Sequence, residues 1–224
     1  MNVAVLISGG KDSALALYRV LKRGYNVKYL VTVLPQREDS WMFHYPNVEL
    51  TSLFAEACGL PLVRGETHGV KERELEDLKR LLENLDVEGV VSGAVCSNYQ
   101  KSRLDRICSE IGLESIAPLW HEDPKRLMKE LIENNFLVIF TGVYAYGLNQ
   151  AWLGRRLDRD ALRDLIILNE KYGISIVGEG GEYETLVLDA PFFKKRIRIL
   201  KAKTFWSGDS GYLLVEEARL EDKI

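Results

Sequence analysis

The chain opens with a run of apolar positions, Val3-Ala4-Val5-Leu6-Ile7, that breaks off at Ser8-Gly9-Gly10. A continuous rather than alternating run predicts a strand covered on both faces, the habit of parallel sheets. From Ser13 to Arg23 the apolar residues fall at helical spacing, and Gly24 is a natural stop. Strand-like and helix-like stretches then alternate. Val27 to Leu34 is a strand closed by Pro35, Val48 to Cys58 a helix before Gly59, and Leu60 to Val63 a short strand. Lys71 to Asp86 is a charged helix with Leu75, Leu78, Leu82 and Leu85 as its one apolar stripe. Val87 to Val95 is a fourth strand, and Ser102 to Ile111 a helix ending at Gly112.

This alternation predicts an α/β fold built on a doubly wound, Rossmann-like parallel sheet. Such sheets bind ligands beyond the carboxyl ends of their strands. Here those ends are Ser8-Gly9-Gly10, Leu34-Pro35 and Ala94-Val95-Cys96. After Pro118 the rhythm changes. Pro124 to Asn134 and Asp158 to Tyr172 read as helices and Phe136 to Thr141 as a strand. Gly178 to Thr185 is a loop rich in Gly and Glu, and Ile197 to Leu200 and Tyr212 to Val215 alternate like antiparallel strands. The organisation expected is a nucleotide-binding domain over residues 1–118 and a smaller α+β subdomain over 119–224.

With 46% hydrophobic residues and a net charge of −3, the 224-residue chain has the material for a core, which excludes a disordered protein. The acidic balance argues against a protein built to grip nucleic acid. Cys58, Cys96 and Cys108 form no CxxC pair, so no zinc ribbon or dithiol redox site is written here, and a reducing compartment fits. Cys96 itself reads as a buried small residue rather than a nucleophile. No apolar run approaches the roughly 20 residues of a membrane span, and no basic stretch with an apolar segment behind it opens the chain. The expected location is the cytoplasm.

The strongest chemical signal is Ser8-Gly9-Gly10-Lys11-Asp12-Ser13, between a buried strand and a helix. Two glycines permit a tight turn and close approach to a ligand. The amides of the helix start and the hydroxyls of Ser8 and Ser13 make an anion cradle, and Lys11 adds a positive charge. Asp12 is repelled by phosphate unless a cation stands between them, which assigns it a Mg²⁺-linked role. The G-x-x-x-x-G-K-[ST] spacing is absent.

Three further segments carry chemistry. Trp41-Met42-Phe43-His44-Tyr45-Pro46-Asn47 packs aromatics into a loop. It reads either as a satellite of the core, with Asn47 capping the next helix, or as a lid whose rings hold a quaternary ammonium group. Gly93-Ala94-Val95-Cys96-Ser97-Asn98-Tyr99-Gln100-Lys101-Ser102-Arg103 brings a second helix start beside the first, with Ser97, Tyr99, Gln100 and Arg103 as phosphate or substrate contacts. Gly178-Glu179-Gly180-Gly181-Glu182-Tyr183-Glu184-Thr185 gathers three mutually repelling carboxylates, as a cation-binding or substrate-orienting loop requires. His68 and His121 are lone histidines, and Trp120, Tyr144 and Tyr146 read as core or interface. The basic stretch Lys194-Lys195-Arg196, Arg198, Lys201 and Lys203 reads as a solvated edge or a docking face.

The first loop resembles the SGGxDS pyrophosphatase loop of the N-type ATP pyrophosphatases, the PP-loop superfamily. The four segments in this order, through "GEGGEYETLVLDAP", look like the diphthine–ammonia ligase family in its short, archaeal-type, single-module form. The resemblance implies that ATP, Mg²⁺, ammonium and the diphthine residue of translation elongation factor 2 yield diphthamide, AMP and pyrophosphate through an acyl-adenylate. It implies that Ser8, Gly9, Gly10, Lys11, Asp12 and Ser13 bind ATP, and that adenine sits near Val31 to Leu34; Gly93 and Ser97, at the second helix start, are expected to join them from the reading of their own segment. It puts Glu182 and Glu184 in the family's acidic substrate motif and, with Lys11 and Asp12, in the catalytic set. His44, Tyr45, Tyr99, Gln100, Arg103, Glu179, Glu182 and Glu184 are the substrate contacts. Eukaryotic members are expected to carry extra C-terminal domains. A homo-oligomer is compatible with this sequence. Two other readings stay open: a PP-loop enzyme acting on tRNA or a small molecule, and a non-catalytic ATP-binding sensor.

Overall fold

The computed structural model describes residues 1–35, 47, 50–67 and 71–223. Trp41, Phe43, His44, Tyr45 and His68 lie outside them. The first half builds a five-stranded, all-parallel sheet from β1 (Asn2–Leu6), β2 (Asn26–Pro35), β3 (Leu62–Thr67), β4 (Gly89–Val91) and β5 (Glu114–Ile116), in the order β3-β2-β1-β4-β5. The apolar run is continuous because both faces are covered. Val3, Val5 and Ile7 face the layer of α1 (Lys11–Lys22) and α2 (Thr51–Cys58). Ala4, with Val31, Val33 and Val90, faces α3 (Lys71–Glu83) and α4 (Asn98–Ile111), where Leu78 and Leu82 of the expected stripe are buried.

The second half folds as a four-stranded antiparallel sheet, β7-β6-β9-β8, from β6 (Leu137–Val143), β7 (Tyr183–Asp189), β8 (Lys195–Ser207) and β9 (Ser210–Asp222). Helices α5 (Pro124–Glu133) and α6 (Arg159–Tyr172) accompany it. This sheet packs on the α1/α2 side, and one apolar cluster runs from Val3 and Leu15 through Phe136 and Phe140 to Leu186 and Ile197. Arg19 of α1 ties the layers, bonding Glu130 of α5 at 2.6 Å and the Pro118 carbonyl at 2.8 Å.

Several boundaries differ from the sequence expectation, each for a physical reason. The fourth strand is three residues, not nine: the Ser92 amide makes a last bond to the Ile116 carbonyl of β5, and from Gly93 the backbone turns against the start of α1. The third strand runs to Thr67 because it pairs with β2 as far as Pro35, although Arg64, Gly65 and Glu66 hide it in the sequence. Helix α4 starts at Asn98, not Ser102, because Ser97 caps it, accepting from the Gln100 amide at 3.3 Å. The Gly/Glu loop is shorter than expected, since Tyr183 onward is β7. Edge strand β5 escaped the pattern altogether. Asn47 does not cap α2. Its side chain is buried, donating to the Leu213 carbonyl and accepting from the Val215 amide, both at 2.9 Å.

The basic stretch forms edge strand β8, and its neighbour β9 neutralises much of it. Arg196 and Arg198 pair with Glu221, Lys201 with Glu216 and Lys195 with Asp222. Cys96 is exposed rather than buried, because it lies on the turn before α4; Cys58 and Cys108 are buried. Burial pushes the Cys108 thiol up to about 11, leaving it inert at neutral pH. Tyr144 and Tyr146, 42% and 76% exposed, are not core residues. Among the described residues no helix is long and apolar enough to cross a membrane.

Candidate active site

The strand order of the parallel sheet reverses between β1 and β4, and a crevice opens beyond the carboxyl ends of these two strands. A cavity of about 740 Å³ occupies it. One flank is apolar, from Leu6, Val31, Val33, Leu75, Leu78, Leu104 and Ile107. The other is polar, from Ser8 to Ser13 on one side and Gly178 to Thr185 on the other. The second sheet therefore supplies half of the site's polar wall.

The loop after β1 is fixed by that sheet. Gly9 stands at φ +85°, a conformation only glycine adopts freely, and its carbonyl accepts from the Val187 amide at 2.9 Å. Helix α1 has Gly10 as its N-cap, with no side chain to close it. The Lys11 amide instead donates to Thr185 Oγ1 at 3.2 Å. The hydroxyls of Ser8 and Ser13 stand 3.2 Å apart, both turned into the loop. A third contact comes from the turn after β4: a Cβ added at Gly93 would lie 2.6 Å from the Ser13 nitrogen and 2.7 Å from the Asp12 carbonyl carbon. Gly93 is thus the space that lets two loops touch backbone to backbone.

Lys11 does not reach into solvent. It is 3% exposed, with Nζ bonded to Asp12 Oδ2 at 2.8 Å and to the Val177 carbonyl, and 5.4 Å from the centre of the Tyr183 ring. Burial raises the Asp12 carboxyl above its ordinary value, Lys11 pulls it back, and Glu179 adds a smaller upward push. Tyr183 is buried, donates to the Ile176 carbonyl at 2.5 Å, and has its phenol pushed well up by burial, Asp12 and Glu182. Gly178 (φ +70°) packs against its ring.

The three glutamates of the acidic segment have separate fates. Glu179 Oε1 accepts from three successive amides, Val95, Cys96 and Ser97, at 3.0, 2.5 and 2.8 Å. It fills the anion nest at the start of α4 with a carboxylate of the chain itself. Glu182 turns back on its own loop, accepting from the Ser175 amide at 2.9 Å and the Gly180 amide at 2.8 Å. Glu184, on β7, lines the cavity.

Residues 1–115 match the family model for the N-terminal domain of diphthamide synthase, and residues 123–220 the model for its C-terminal domain. The chain belongs to the diphthamide synthase family. It is 35% identical to the human diphthine–ammonia ligase and 36% identical to that of zebrafish (Danio rerio), over its whole length and over 94% and 98% of theirs. The fission-yeast (Schizosaccharomyces pombe) enzyme of the same name is 36% identical, and the chain spans 40% of its length. Extra length is therefore a feature of some eukaryotic members only, which corrects the expectation that eukaryotic relatives carry added domains.

Of the residues singled out in the sequence, Ser8, Gly10, Lys11, Asp12, Ser13, Gly93, Gln100, Arg103, Glu179 and Glu184 line the cavity of this diphthamide synthase fold. Gly9, Ser97, Tyr99 and Glu182 stand behind or beside the lining: Tyr99 is exposed, with the Arg103 guanidinium 3.4 Å over its ring. Sequence reasoning gave Thr185 and Tyr183 no role of their own within the acidic segment, and read Tyr144 as core or interface. The buried alternate positions Tyr183, Thr185 and Val187 carry a period-two signal that would have placed the first two on a strand facing α1.

Proposed function

We propose that this chain catalyses the reaction for which its relatives are named, the ATP-dependent ligation of ammonia to diphthine, the modified histidine of elongation factor 2. The supporting observation is the joint between Gly9–Lys11 and Thr185–Val187, which joins an anion-binding loop to an acidic segment around one cavity. The chemistry demands such a pairing. A carboxylate is a poor acyl donor, because its leaving group would be oxide. Its oxygen attacks the α-phosphorus of ATP, forming an acyl-adenylate and releasing pyrophosphate. Ammonia then adds to the acyl carbon, AMP departs, and the surplus proton goes to solvent.

The chain's own tasks in this reading are positioning and charge neutralisation. Ser8, Gly9, Gly10 and Ser13 receive the phosphates at the start of α1, with Gly93 holding that start in place. The apolar flank beside Val31 and Val33 takes the base. Lys11 holds the Asp12 carboxyl, its ammonium bonded to both oxygens. The residues fit a magnesium ion that arrives with the nucleotide: such ions need only one or two carboxylates besides phosphate, and Asp12 provides one. That ion supplies neutralisation of phosphate charge. Gln100 and Arg103 reach the cavity from α4, Tyr99 beside them, and Glu184 faces them from β7; these are the acceptor side, with Glu179 and Glu182 holding its loops. The three cysteines are all free, which suits the cytoplasm where the protein substrate works.

The test is an incubation with ATP, Mg²⁺, ammonium and diphthine-bearing elongation factor 2, following nucleotide products and the mass of the modified peptide. AMP, pyrophosphate and a loss of about one mass unit (oxygen exchanged for NH) are expected. AMP with no mass change would keep the adenylate chemistry and move it to another carboxylate substrate, and ADP would defeat it.

A further inference from the structure

Two tyrosine rings line the cavity, and their faces differ. Tyr183 is buried and already has the Lys11 ammonium beside it. Tyr144 is 42% exposed, and among the described residues no cation stands over its ring. Gly142 sets its position: a Cβ added there would lie 2.7 Å from the Tyr144 hydroxyl, 2.8 Å from its Cε2 and 2.9 Å from the Cβ of Glu184. The ring therefore lies back across bare backbone, with Glu184 at the same spot. Gly142 belongs to β6 and pairs with Glu184 on β7 and Tyr212 on β9, so the ring is seated on the middle of a sheet rather than on a free loop. Burial, with Glu184 and Tyr212 adding to it, pushes the phenol up to about 12, and the ring stays neutral throughout the physiological range.

A quaternary ammonium group has no N–H to donate. It is recognised by the negative face of an aromatic ring and by a nearby carboxylate, and its weak hydration makes the transfer from water cheap. A small, strongly hydrated ammonium ion gains less at such a spot, which matters in a cavity that must admit ammonium as a co-substrate. We propose that Tyr144 and Glu184, with Gly142 as the seat of the ring, form the subsite for the trimethylammonium group of the diphthine side chain. This rests on the ligase reading and extends it to a residue outside the four sequence segments.

The experiment combines amidation kinetics on elongation factor 2 with titration of tetramethylammonium chloride into wild type, Tyr144→Phe and Tyr144→Leu. Tyr144→Leu should raise KM for the protein substrate about tenfold or more and leave KM for ATP unchanged. Tyr144→Phe, which keeps the ring, should stay within about threefold of wild type on the same grounds. Tetramethylammonium should compete with the protein substrate in wild type and in Tyr144→Phe, and lose that competition in Tyr144→Leu. An unchanged KM in Tyr144→Leu, or equal inhibition of all three proteins, overturns the subsite while leaving the ligase reading intact. Should wild type amidate nothing, the ligase reading falls, and nuclear magnetic resonance of the tyrosine rings decides the subsite by itself. A saturable tetramethylammonium shift lost in Tyr144→Leu upholds a quaternary-ammonium site, and no shift in wild type removes it.

Discussion

Two helices start at the crevice of the parallel sheet, and the chain finishes them in opposite ways. Helix α1 begins at a glycine, and its first amides meet hydroxyls, Ser8 Oγ on Gly10 and Thr185 Oγ1 on Lys11, with Asp12 the one acid of its first turn and its carboxyl held by Lys11. Helix α4 begins at Ser97, which caps it, and a full carboxylate from Glu179 takes the three amides that precede it. Both ends carry the positive half of a helix dipole. The chain neutralises one and leaves the other its capacity for an anion. Similar Ser- and Gly-rich turns after a strand thus become a structural joint in one case and a ligand cradle in the other. What separates them is a residue 82 to 84 positions away in the chain.

The comparison breaks most directly at Gly93, where the two loops meet. An alanine there would place Cβ against the backbone of Asp12 and Ser13, which cannot rotate aside. Overpacking of this kind costs about 1–3 kcal/mol. A displacement of the α1 start by an ångström costs on the order of a hundredfold in rate. Gly93→Ala should lose most of its turnover and melt earlier than wild type. Wild-type kcat in this variant would mean that the two starts are not held as one unit.

A smaller break comes from Lys11, whose ammonium bonds both oxygens of the Asp12 carboxyl. Lys11→Met leaves Asp12 without its cation and the Val177 carbonyl without its donor. About 1–3 kcal/mol is the expected loss, reduced because Asp12 is partly exposed. The sign with pH follows from the raised Asp12 carboxyl. Its contribution to stability is fully present below the ordinary 3.8 and is lost as pH rises through the higher value of the folded protein. Without Lys11 that loss deepens, so denaturation midpoints for Lys11→Met and wild type should diverge as pH climbs from 4 toward neutrality. In an Asp12→Asn background the divergence should largely vanish.

The parallel sheet and the α1 cradle were legible because their signals are local: a continuous apolar run, then glycines, then a helical period. The α4 nest was not. Nothing near Val95 to Ser97 says that Glu179 will close it, and only the packing of the second sheet against the first brings the two together. The same holds for Asn47, whose partners on β9 override a helix cap that the local sequence favours. Tyr144 read as core or interface because its seat is an absence, the missing side chain of Gly142. Short strands such as β5 fall below any period a pattern can show.

Glu179 is where the contrast can be sharpened rather than broken. Glu179→Ala removes three charge-assisted hydrogen bonds, worth about 1–3 kcal/mol together because water replaces part of them. In a chain of this size that is a melting shift of roughly 2–12 °C. Inorganic pyrophosphate should then protect Glu179→Ala against heat more than it protects wild type, because a second anion site has opened beside α1. Equal protection would mean that Glu179 fills a nest no ligand could use.

The smallest effect lies at the other end of α4, where Glu110 meets Lys79 of α3 and Arg106. These two cations, Lys79 first, pull its carboxyl down to about 2. A depressed carboxylate contributes stability above its ordinary 4.5 and loses it as pH falls toward the folded value. Because the group is exposed, solvent screens the pair and the contribution is small. Glu110→Gln should therefore melt only slightly below wild type at neutral pH, with the gap closing between pH 4.5 and about 2 and shrinking further in high salt. Turnover should stay at the wild-type level. A loss of turnover in Glu110→Gln would mean that charge anywhere on α4 tunes the cavity, and the contrast between its capped start and the open start of α1 would no longer explain which end the nucleotide uses.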